Sequence, residues 1–272
     1  MSKNNNYALV LGSSSGFGKA TAIELAKNGY NIYGVHLDRG SAKKAAEELV
    51  SELKSYGVDA KFWNVNAASD EKRAEIIEEI KTLHETNPAN NLRVIIHSLA
   101  FGTLKSFIHE DANDMLSRKQ IEMTMDVMAN SLIYWTQDLH NAKLLANNSR
   151  IIAFSSIGAT RQMHKYGAVS AAKAALESYI RQLSVELAPY GTTSNAIFAG
   201  LTETAAASKI PGYDKMIKFG KMQSPFGRLT TPEDIAYVVN MLCDEKCNWI
   251  TGETLRVDGG DAIYEFFEYD GE

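Results

Sequence analysis

A glycine-rich turn between an apolar segment and an amphipathic segment most strongly limits how this chain can fold. The apolar segment Tyr7–Leu11 is typical of a buried strand, and Gly18–Asn28 has the periodicity of a helix. Between them the pattern G-x-x-x-G-x-G places glycines at Gly12, Gly16 and Gly18. Glycines there permit a tight turn and let a phosphate approach the backbone at the helix N-terminus. The pattern therefore predicts a strand–turn–helix unit that binds a dinucleotide.

The alternation of strand and helix continues along the chain. Further strands are predicted at Asn31–His36, Ala60–Val65, Leu92–Ser98, Arg150–Ser155, Thr193–Phe198 and Glu253–Val257. Further helices are predicted at Ser41–Ser55, Glu71–His84, Gln120–Asn147, Ser170–Ala188 and Pro232–Cys243. Continuous apolar strands separated by helices imply a parallel sheet that is covered on both faces. We therefore expect one α/β domain, residues 1–272, with a doubly wound parallel sheet of the Rossmann type.

One long segment has no clear place in this sheet. It lies between Gly200 and Arg228 and is the longest insertion before the last helix and strand. Long insertions beside a ligand site often serve as lids. In doubly wound folds that site lies beyond the carboxyl ends of the strands, so residues 201–228 are predicted to form a substrate lid.

Composition excludes several other classes of protein. The net charge of −5 over 272 residues gives no basic bias toward nucleic acid or anionic lipid. No apolar run approaches the roughly 20 residues that a membrane span needs, and the first residues show no signal peptide. Cys243 and Cys247 lack neighbouring histidines, so reduced thiols are expected and no metal site is predicted. We expect a cytoplasmic protein.

A tyrosine and a lysine follow the fifth predicted strand. Tyr166 and Lys173 are seven residues apart, about two helical turns, and Ser155 and Ser156 close the strand before them. A free tyrosine has a pKa of about 10, and a nearby ammonium makes it a better proton donor. The alternative interpretation is a tyrosine that packs at a helix start and a lysine on a solvated helix face.

Together with the glycine turn, these residues resemble the short-chain dehydrogenase/reductase family. In most of its members the tyrosine and lysine are four residues apart, and Val169 stands where that tyrosine would be. The Tyr-x6-Lys spacing resembles the enoyl-acyl-carrier-protein reductases, and the stretch from Ser156 to Lys173 is most similar to type III of these enzymes. The resemblance covers nearly the whole chain and is weakest in the acidic aromatic tail, Tyr264–Glu272.

The resemblance implies roles for individual residues. Tyr166 would stabilise the developing enolate, Ser156 would bond the substrate oxygen, and Lys173 would bond the nicotinamide ribose. The cofactor-binding residues that it implies are Gly12, Ser14, Ser15, Gly16, Phe17, Gly18, Asp38, Arg39, Asn66, Ala67, Ser98, Leu99, Ala100, Lys173, Gly200, Thr202 and Thr204. One departure is that Met128 stands at the position of the family's catalytic asparagine, with Asn130 two residues further on. His97 is interpreted as a satisfied histidine at a strand end.

The residues after the second strand bear on the cofactor phosphate. In the family, an acid at the position of His36 would bind a ribose 2′-hydroxyl and mark NADH. The histidine, with Arg39 and nearby lysines, favours a 2′-phosphate. Asp38 would repel that phosphate, and Ser15 stands where NADP-dependent members often carry a basic residue. We expect NADPH, with NADH as the alternative.

Three functions remain open at this point. The first is NAD(P)H-dependent reduction of the C=C bond of enoyl thioesters, as in fatty acid synthesis. The second is a ketone or alcohol oxidoreductase similar to the 3-oxoacyl reductases, which the departures at Val169 and Met128 disfavour. The third is a dinucleotide sensor without turnover, which would need none of Tyr166, Lys173 and Ser156.

The same resemblance implies partners. It implies a homotetramer, for which Leu132, Trp135, Leu176 and Leu183 are candidate interface residues, although packing in the core explains them equally well. In the lid, Tyr213, Met216, Ile217 and Phe219 are candidates for an acyl channel, and ordinary packing of the lid is an equal alternative. The lid also carries four lysines that could steer an acidic acyl carrier protein or coenzyme A: Lys209, Lys215, Lys218 and Lys221. The alternative interpretation of these lysines is a solvated face of the lid.

Overall fold

The fold is built on a seven-stranded parallel sheet with the order β3-β2-β1-β4-β5-β6-β7. The structure, a computed structural model, describes residues 5–204, 207–210 and 212–265. The strands are β1 Asn6–Leu11, β2 Asn31–His36, β3 Ala60–Asn64, β4 Asn91–His97, β5 Leu145–Ser156, β6 Thr193–Ala199 and β7 Thr254–Val257. The order reverses between β1 and β4, and this switch point is where such sheets bind ligands.

Helices cover both faces of the sheet. They are α1 Gly16–Lys27, α2 Ser41–Ser55, α3 Asp70–Thr86, α4 Arg118–Met125, α5 Ser131–Asn141, α6 Gly167–Glu186, α7 Tyr213–Gln223 and α8 Pro232–Cys243. One core lies between the sheet and α3, α5 and α6 and contains Trp135 and Leu176. The other lies under α1, α2 and α8 and contains Leu25 and Leu49. The predicted doubly wound α/β fold is confirmed.

The long helix predicted at Gln120–Asn147 is wrong beyond Asn141. The chain there forms α4, a π-helical turn at Asp126–Asn130, and α5. It then leaves the helix through Lys143, whose φ of 57° is left-handed. The amides of Lys143 and Leu144 bond back to the carbonyls of His140 and Leu139, which is the Schellman geometry of a helix end. Sequence periodicity missed this end because no glycine marks it.

The apolar residues proposed for a subunit interface lie inside the subunit. Leu132, Trp135 and Leu176 are fully buried and Leu183 is 5% exposed. Their burial is therefore explained by packing within one chain, and they are wrong as interface candidates. The homotetramer itself stays a prediction, which requires other residues of these helices. Within the described ranges, the helices are too short or too polar to cross a membrane.

The insertion after β6 lies over the carboxyl end of the sheet. It contains a short 3-10 turn at Ala207–Lys209 and then α7. The insertion closes at its base, where the amide of Thr230 bonds the carbonyl of Leu201. Ala205, Ala206 and Pro211 of the predicted lid, and residues 266–272 of the tail, lie outside the described residues.

Candidate active site

The glycine turn forms a cradle that side chains would fill. Gly12 has a φ of 89°, and a Cβ there would lie 2.4 Å from the carbonyl oxygen of Ser98. A Cβ on Gly18 would lie 2.0 Å from the carbonyl oxygen of Gly12. The turn can therefore be this tight only with glycine, and it leaves the N-terminus of α1 open to a phosphate. Thr204 of the lid stands next to Gly16, so the lid begins directly over the turn.

The three predicted catalytic residues line one cavity of about 280 Å³. Ser156 is the last residue of β5, Tyr166 precedes the first turn of α6, and Lys173 lies further along the same helix. The Tyr166 ring packs on Gly158, where a Cβ would lie 2.7 Å from its edge. The seven-residue spacing therefore brings the tyrosine to the cavity from the start of the helix.

Burial sets the charge of the two titratable groups. Lys173 is 7% exposed, and its Nζ donates to the carbonyl of Phe154 at 2.7 Å. This burial lowers the pKa of Lys173 to about 8, although the carboxylate of Glu177 acts in the opposite direction. Burial also raises the pKa of Tyr166, while its hydrogen bond with the Ser156 hydroxyl lowers it. At neutral pH the site therefore presents a neutral phenol that can donate a proton, close to an ammonium.

The rest of the cavity wall is mainly apolar. Strand ends, the loop after β4, the helices and the lid supply Phe17, Leu99, Phe101, Leu104, Met128, Phe154, Ile157, Met163, Val169, Phe198, Leu201, Ile210 and Met216. Such a wall suits an apolar chain next to a few polar groups. Of the four lid residues predicted for an acyl channel, Met216 lies in this wall and Phe219 is 63% exposed. Tyr213 and Ile217 are half-buried, and they are not among the described residues that form this wall.

The predicted cofactor residues divide into two groups. One group shares the cavity with Tyr166 and consists of Phe17, Ser98, Leu99, Ala100, Lys173, Gly200, Thr202 and Thr204. The other follows β1, β2 and β3 outside the cavity wall and consists of Gly12, Ser14, Ser15, Gly16, Gly18, Asp38, Arg39, Asn66 and Ala67. A dinucleotide is long enough to need both groups. In this arrangement the cavity would hold the nicotinamide end and the tips of β2 and β3 the adenosine end.

A fixed carboxylate stands at the end of β2. Asp38 Oδ2 lies 2.8 Å from Nδ1 of the buried His36. The Asn64 side chain also bonds the backbone amide and carbonyl of Asp38, each at 2.9 Å. Arg39 beside it is exposed. The site thus holds one charge that favours a ribose 2′-hydroxyl and one that favours a 2′-phosphate.

The structure shows the surroundings of His97, Asn130 and Met128. His97 is fully buried, its Nε2 lies 2.9 Å from Ser131 Oγ, and burial lowers its pKa to about 3. Asn130 bonds Asp126 and Tyr179, while Met128 lines the cavity. At the position of the family's catalytic asparagine, the cavity is therefore lined by an apolar side chain, and Asn130 does not replace it there.

Two acidic residues near the site were not predicted. Asp261, just after β7, lines the cavity. Glu177 accepts a hydrogen bond from Ser155 at the end of β5. Glu177 is four residues after Lys173, and this helical spacing could have indicated it. In the described part of the chain, no three His, Cys, Asp or Glu side chains form a cluster that could hold a metal.

Comparison with known proteins agrees with this geometry. The sequence model of the family described as enoyl-(acyl carrier protein) reductase matches residues 12–261. The enoyl-acyl-carrier-protein reductase (NADH) FabI of Aquifex aeolicus is 31% identical over 92% of this chain and 89% of its own length. The 3-oxoacyl-acyl-carrier-protein reductase FabG of the same organism is 29% identical over 93% of this chain and 96% of its own. The crystal structure of the enoyl-acyl-carrier-protein reductase (NADH) from Aquifex aeolicus VF5 superimposes with a TM-score of 0.80 and 28% identity, covering 97% of this chain and 99% of that one.

Proposed function

Because the chain belongs to the enoyl-acyl-carrier-protein reductase family of short-chain dehydrogenases/reductases, we propose that it reduces the C=C bond of enoyl thioesters with NADPH or NADH. The observation that carries the proposal is the cavity shared by Tyr166, Lys173 and Ser156. Its apolar wall suits an acyl chain, and its glycine turn suits a dinucleotide phosphate. Val169 and Met128 are apolar at two positions where ketoreductases of the family have polar groups, which supports the enoyl assignment.

The residues of the cavity have distinct parts in this reaction. The bound nicotinamide would supply a hydride to the β-carbon of the substrate. Negative charge would then grow on the thioester carbonyl oxygen, and the Tyr166 hydroxyl would stabilise it by donating a hydrogen bond. The enolate then takes a proton from solvent at its α-carbon, so that one hydride and one proton are added across the C=C bond. Ser156 offers a second neutral hydroxyl at this oxygen. Lys173 bonds the ribose hydroxyls, and its positive charge lowers the cost of the developing negative charge.

An absorbance assay tests the proposal. NADH and NADPH oxidation are compared with crotonyl-coenzyme A and acetoacetyl-coenzyme A as substrates. We expect crotonyl reduction, and Tyr166→Phe should reduce turnover by about 10²- to 10³-fold because it removes an oxyanion donor. The matched control is Tyr179→Phe, on the same helix, whose hydroxyl bonds Asn130 instead. Preferential reduction of acetoacetyl-coenzyme A would favour the second function.

That second function is reduction of a ketone, as in the 3-oxoacyl reductases. It is supported by the 29% identity to the FabG protein over 93% of this chain. It requires Tyr166 to protonate a carbonyl oxygen without the asparagine that Met128 replaces. The enoyl reaction needs the same tyrosine but not that asparagine, and we therefore keep it as the principal proposal.

The exposed face of the lid helix supports an acidic carrier for the acyl group. Lys215, Lys218 and Lys221 are exposed on α7, and Lys221 is paired loosely with Glu203 at 3.4 Å. The side chain of Lys209, the fourth lysine of the predicted cluster, lies outside the described part of the structure. Acyl carrier proteins are acidic, so these lysines would raise their encounter rate with the cavity mouth.

Salt dependence separates steering from lid packing. Replacing Lys215, Lys218 and Lys221 by glutamate should raise KM for a carrier-bound substrate, more at low salt than at high salt. A small uncharged enone should be unaffected, and Lys54→Glu on the distant helix α2 serves as a charge control. Equal effects on both substrates would indicate a disrupted lid instead.

A further inference from the structure

Lys173 is a buried ammonium in the cavity wall. Its Nζ is held by the carbonyl of Phe154 on β5, and only 7% of the residue is exposed. A carbonyl aligns the ammonium but does not neutralise it. A buried charge is costly unless an opposite charge lies near, so the groups around Lys173 decide how well it stays protonated.

The groups that face Lys173 come from four elements of the fold. From β4, His97 is held neutral by burial and by the lysine charge itself, which lower its pKa to about 3. From β5, Ser155 and Ser156 contribute neutral hydroxyls, and β6 contributes apolar side chains to the wall. From α6 comes the carboxylate of Glu177, and the residue just before the helix supplies the neutral phenol of Tyr166. Among the described residues, Glu177 is the acid that acts on the lysine charge.

The Glu177 carboxylate is fixed on the side of the lysine. It follows Lys173 by four residues on α6, which places the two side chains one turn apart on the same face of the helix. Ser155 Oγ, at the end of β5, donates a hydrogen bond to Glu177 Oε1. Ser155 is 3% exposed, so water competes little with this bond. The serine next to Ser156 thus has a purpose different from that of its neighbour.

We infer that Glu177 is a positioning residue for the active site, whose carboxylate, held by Ser155, keeps Lys173 protonated. The inference deepens the proposed function and rests on it for the role of Lys173. The carboxylate raises the pKa of the lysine against the effect of burial, which leaves it at about 8. Glu177 does not touch substrate, and it acts through Lys173.

The pH profile reports this role directly. Lys173 loses its charge as the pH rises through its pKa, so activity and cofactor affinity should both fall on the basic side. Without the Glu177 charge the lysine pKa drops, and the basic limb moves to lower pH by roughly one unit for a partner one helical turn away. A residue that only supported the fold would lower activity at every pH and leave this limb in place.

The experiment uses Glu177→Gln with Glu186→Gln as the matched control. Glu186 carries the same charge on the same helix but is exposed near its far end. Turnover with crotonyl-coenzyme A, and NADH and NADPH affinity from nicotinamide fluorescence, are measured from about pH 6 to about pH 10 so that the shifted limb falls inside the range. We expect the basic limb to shift in Glu177→Gln, to stay in Glu186→Gln, and to return in Glu177→Asp, which restores the charge.

Two outcomes overturn the inference, and neither depends on the substrate. An unshifted basic limb in folded Glu177→Gln would overturn it, as would an equal shift in Glu186→Gln. If Glu177→Gln does not fold, Ser155→Ala takes its place, because it frees the carboxylate while keeping the charge. The limb should then shift by less than one unit, and an unchanged profile would count against the inference. Failure to reduce crotonyl-coenzyme A would instead refute the proposed function, while the cofactor titration would still test Glu177.

Discussion

Replacement of Lys173 by methionine should stabilise the folded protein at neutral pH while it removes activity. Methionine keeps an unbranched apolar side chain of similar length and takes away the buried charge. The lysine pKa of about 8 lies well below its ordinary value of 10.5 because burial penalises the ammonium. The catalytic charge is therefore held at the expense of folding stability.

The size of the effect follows from the two pKa values. At about 1.4 kcal/mol for each pH unit between them, burial of the charged lysine costs about 3 kcal/mol. Methionine also removes the hydrogen bond to the Phe154 carbonyl, and leaving that oxygen without a partner costs about 1–3 kcal/mol. The difference leaves the variant more stable than the wild type by up to about 2 kcal/mol at neutral pH.

The stability advantage of Lys173→Met should decrease as the pH rises. The folded lysine has the lower pKa, so between about 8 and 10.5 the unfolded state binds more protons. The wild type therefore gains stability as the pH rises through this window, and the variant does not. Above this pH window the lysine is neutral in both states, and the cost of burying its charge is gone. The wild type should then be more stable than the variant because it keeps the hydrogen bond from Lys173 to the Phe154 carbonyl.

Urea unfolding followed by circular dichroism measures this difference without cofactor. Both proteins are compared at neutral pH and near pH 10, with turnover measured alongside. Loss of activity together with a gain in stability that disappears at high pH is the expected pattern. A variant that is less stable at neutral pH, or a difference that does not change with pH, would refute the account of the buried ammonium.

Other substitutions test separate parts of the site. Val169→Tyr should impair enoyl reduction and destabilise the fold by about 1–3 kcal/mol, because Val169 is buried against Gly102. A gain of acetoacetyl reduction in kinetic assays, together with unchanged activity in Tyr166→Phe, would favour the ketoreductase function. Arg39→Ala should weaken NADPH by roughly 10- to 150-fold in fluorescence titrations and leave NADH unchanged; equal losses would show that Arg39 does not contact a phosphate. Asp261→Asn should lower KM for crotonyl-coenzyme A a few-fold, because the acid lines an apolar wall; an unchanged KM would show that the acyl chain does not pass Asp261.

The fold was predictable because each of its determinants is local. The apolar runs at Tyr7–Leu11 and Leu92–Ser98, and the glycines between strand and helix, correspond to β1, β4 and the turn. The end of α5 at Asn141 was not predictable in this way. Lys143 adopts the left-handed conformation just after this end. The amide of Leu144 then donates to the carbonyl of Leu139, which ends the helix. Such an end depends on backbone geometry that residue types alone do not indicate.

The site was predictable only where spacing along the chain determines position. Tyr166 immediately precedes α6 and Lys173 lies within it, so their separation along the chain indicates how they lie relative to each other. Asp261 comes from beyond β7, at the opposite end of the sequence from the glycine turn. It reaches the cavity because the sheet order brings β7 next to β6, whose end carries the lid.

Asp261 also shows why a shared fold leaves the substrate open. Burial raises the pKa of its carboxyl, the charge of Asp258 adds to this, and Arg161 acts in the opposite direction. Arg161 in turn bonds the carbonyl of Ala262, so it anchors the segment that carries the acid. The segment after β7 thus contributes a charged group to a cavity wall that is otherwise mainly apolar. Substrate range in this chain should therefore respond to changes at residues 258–262 with the rate constant for hydride transfer unaltered.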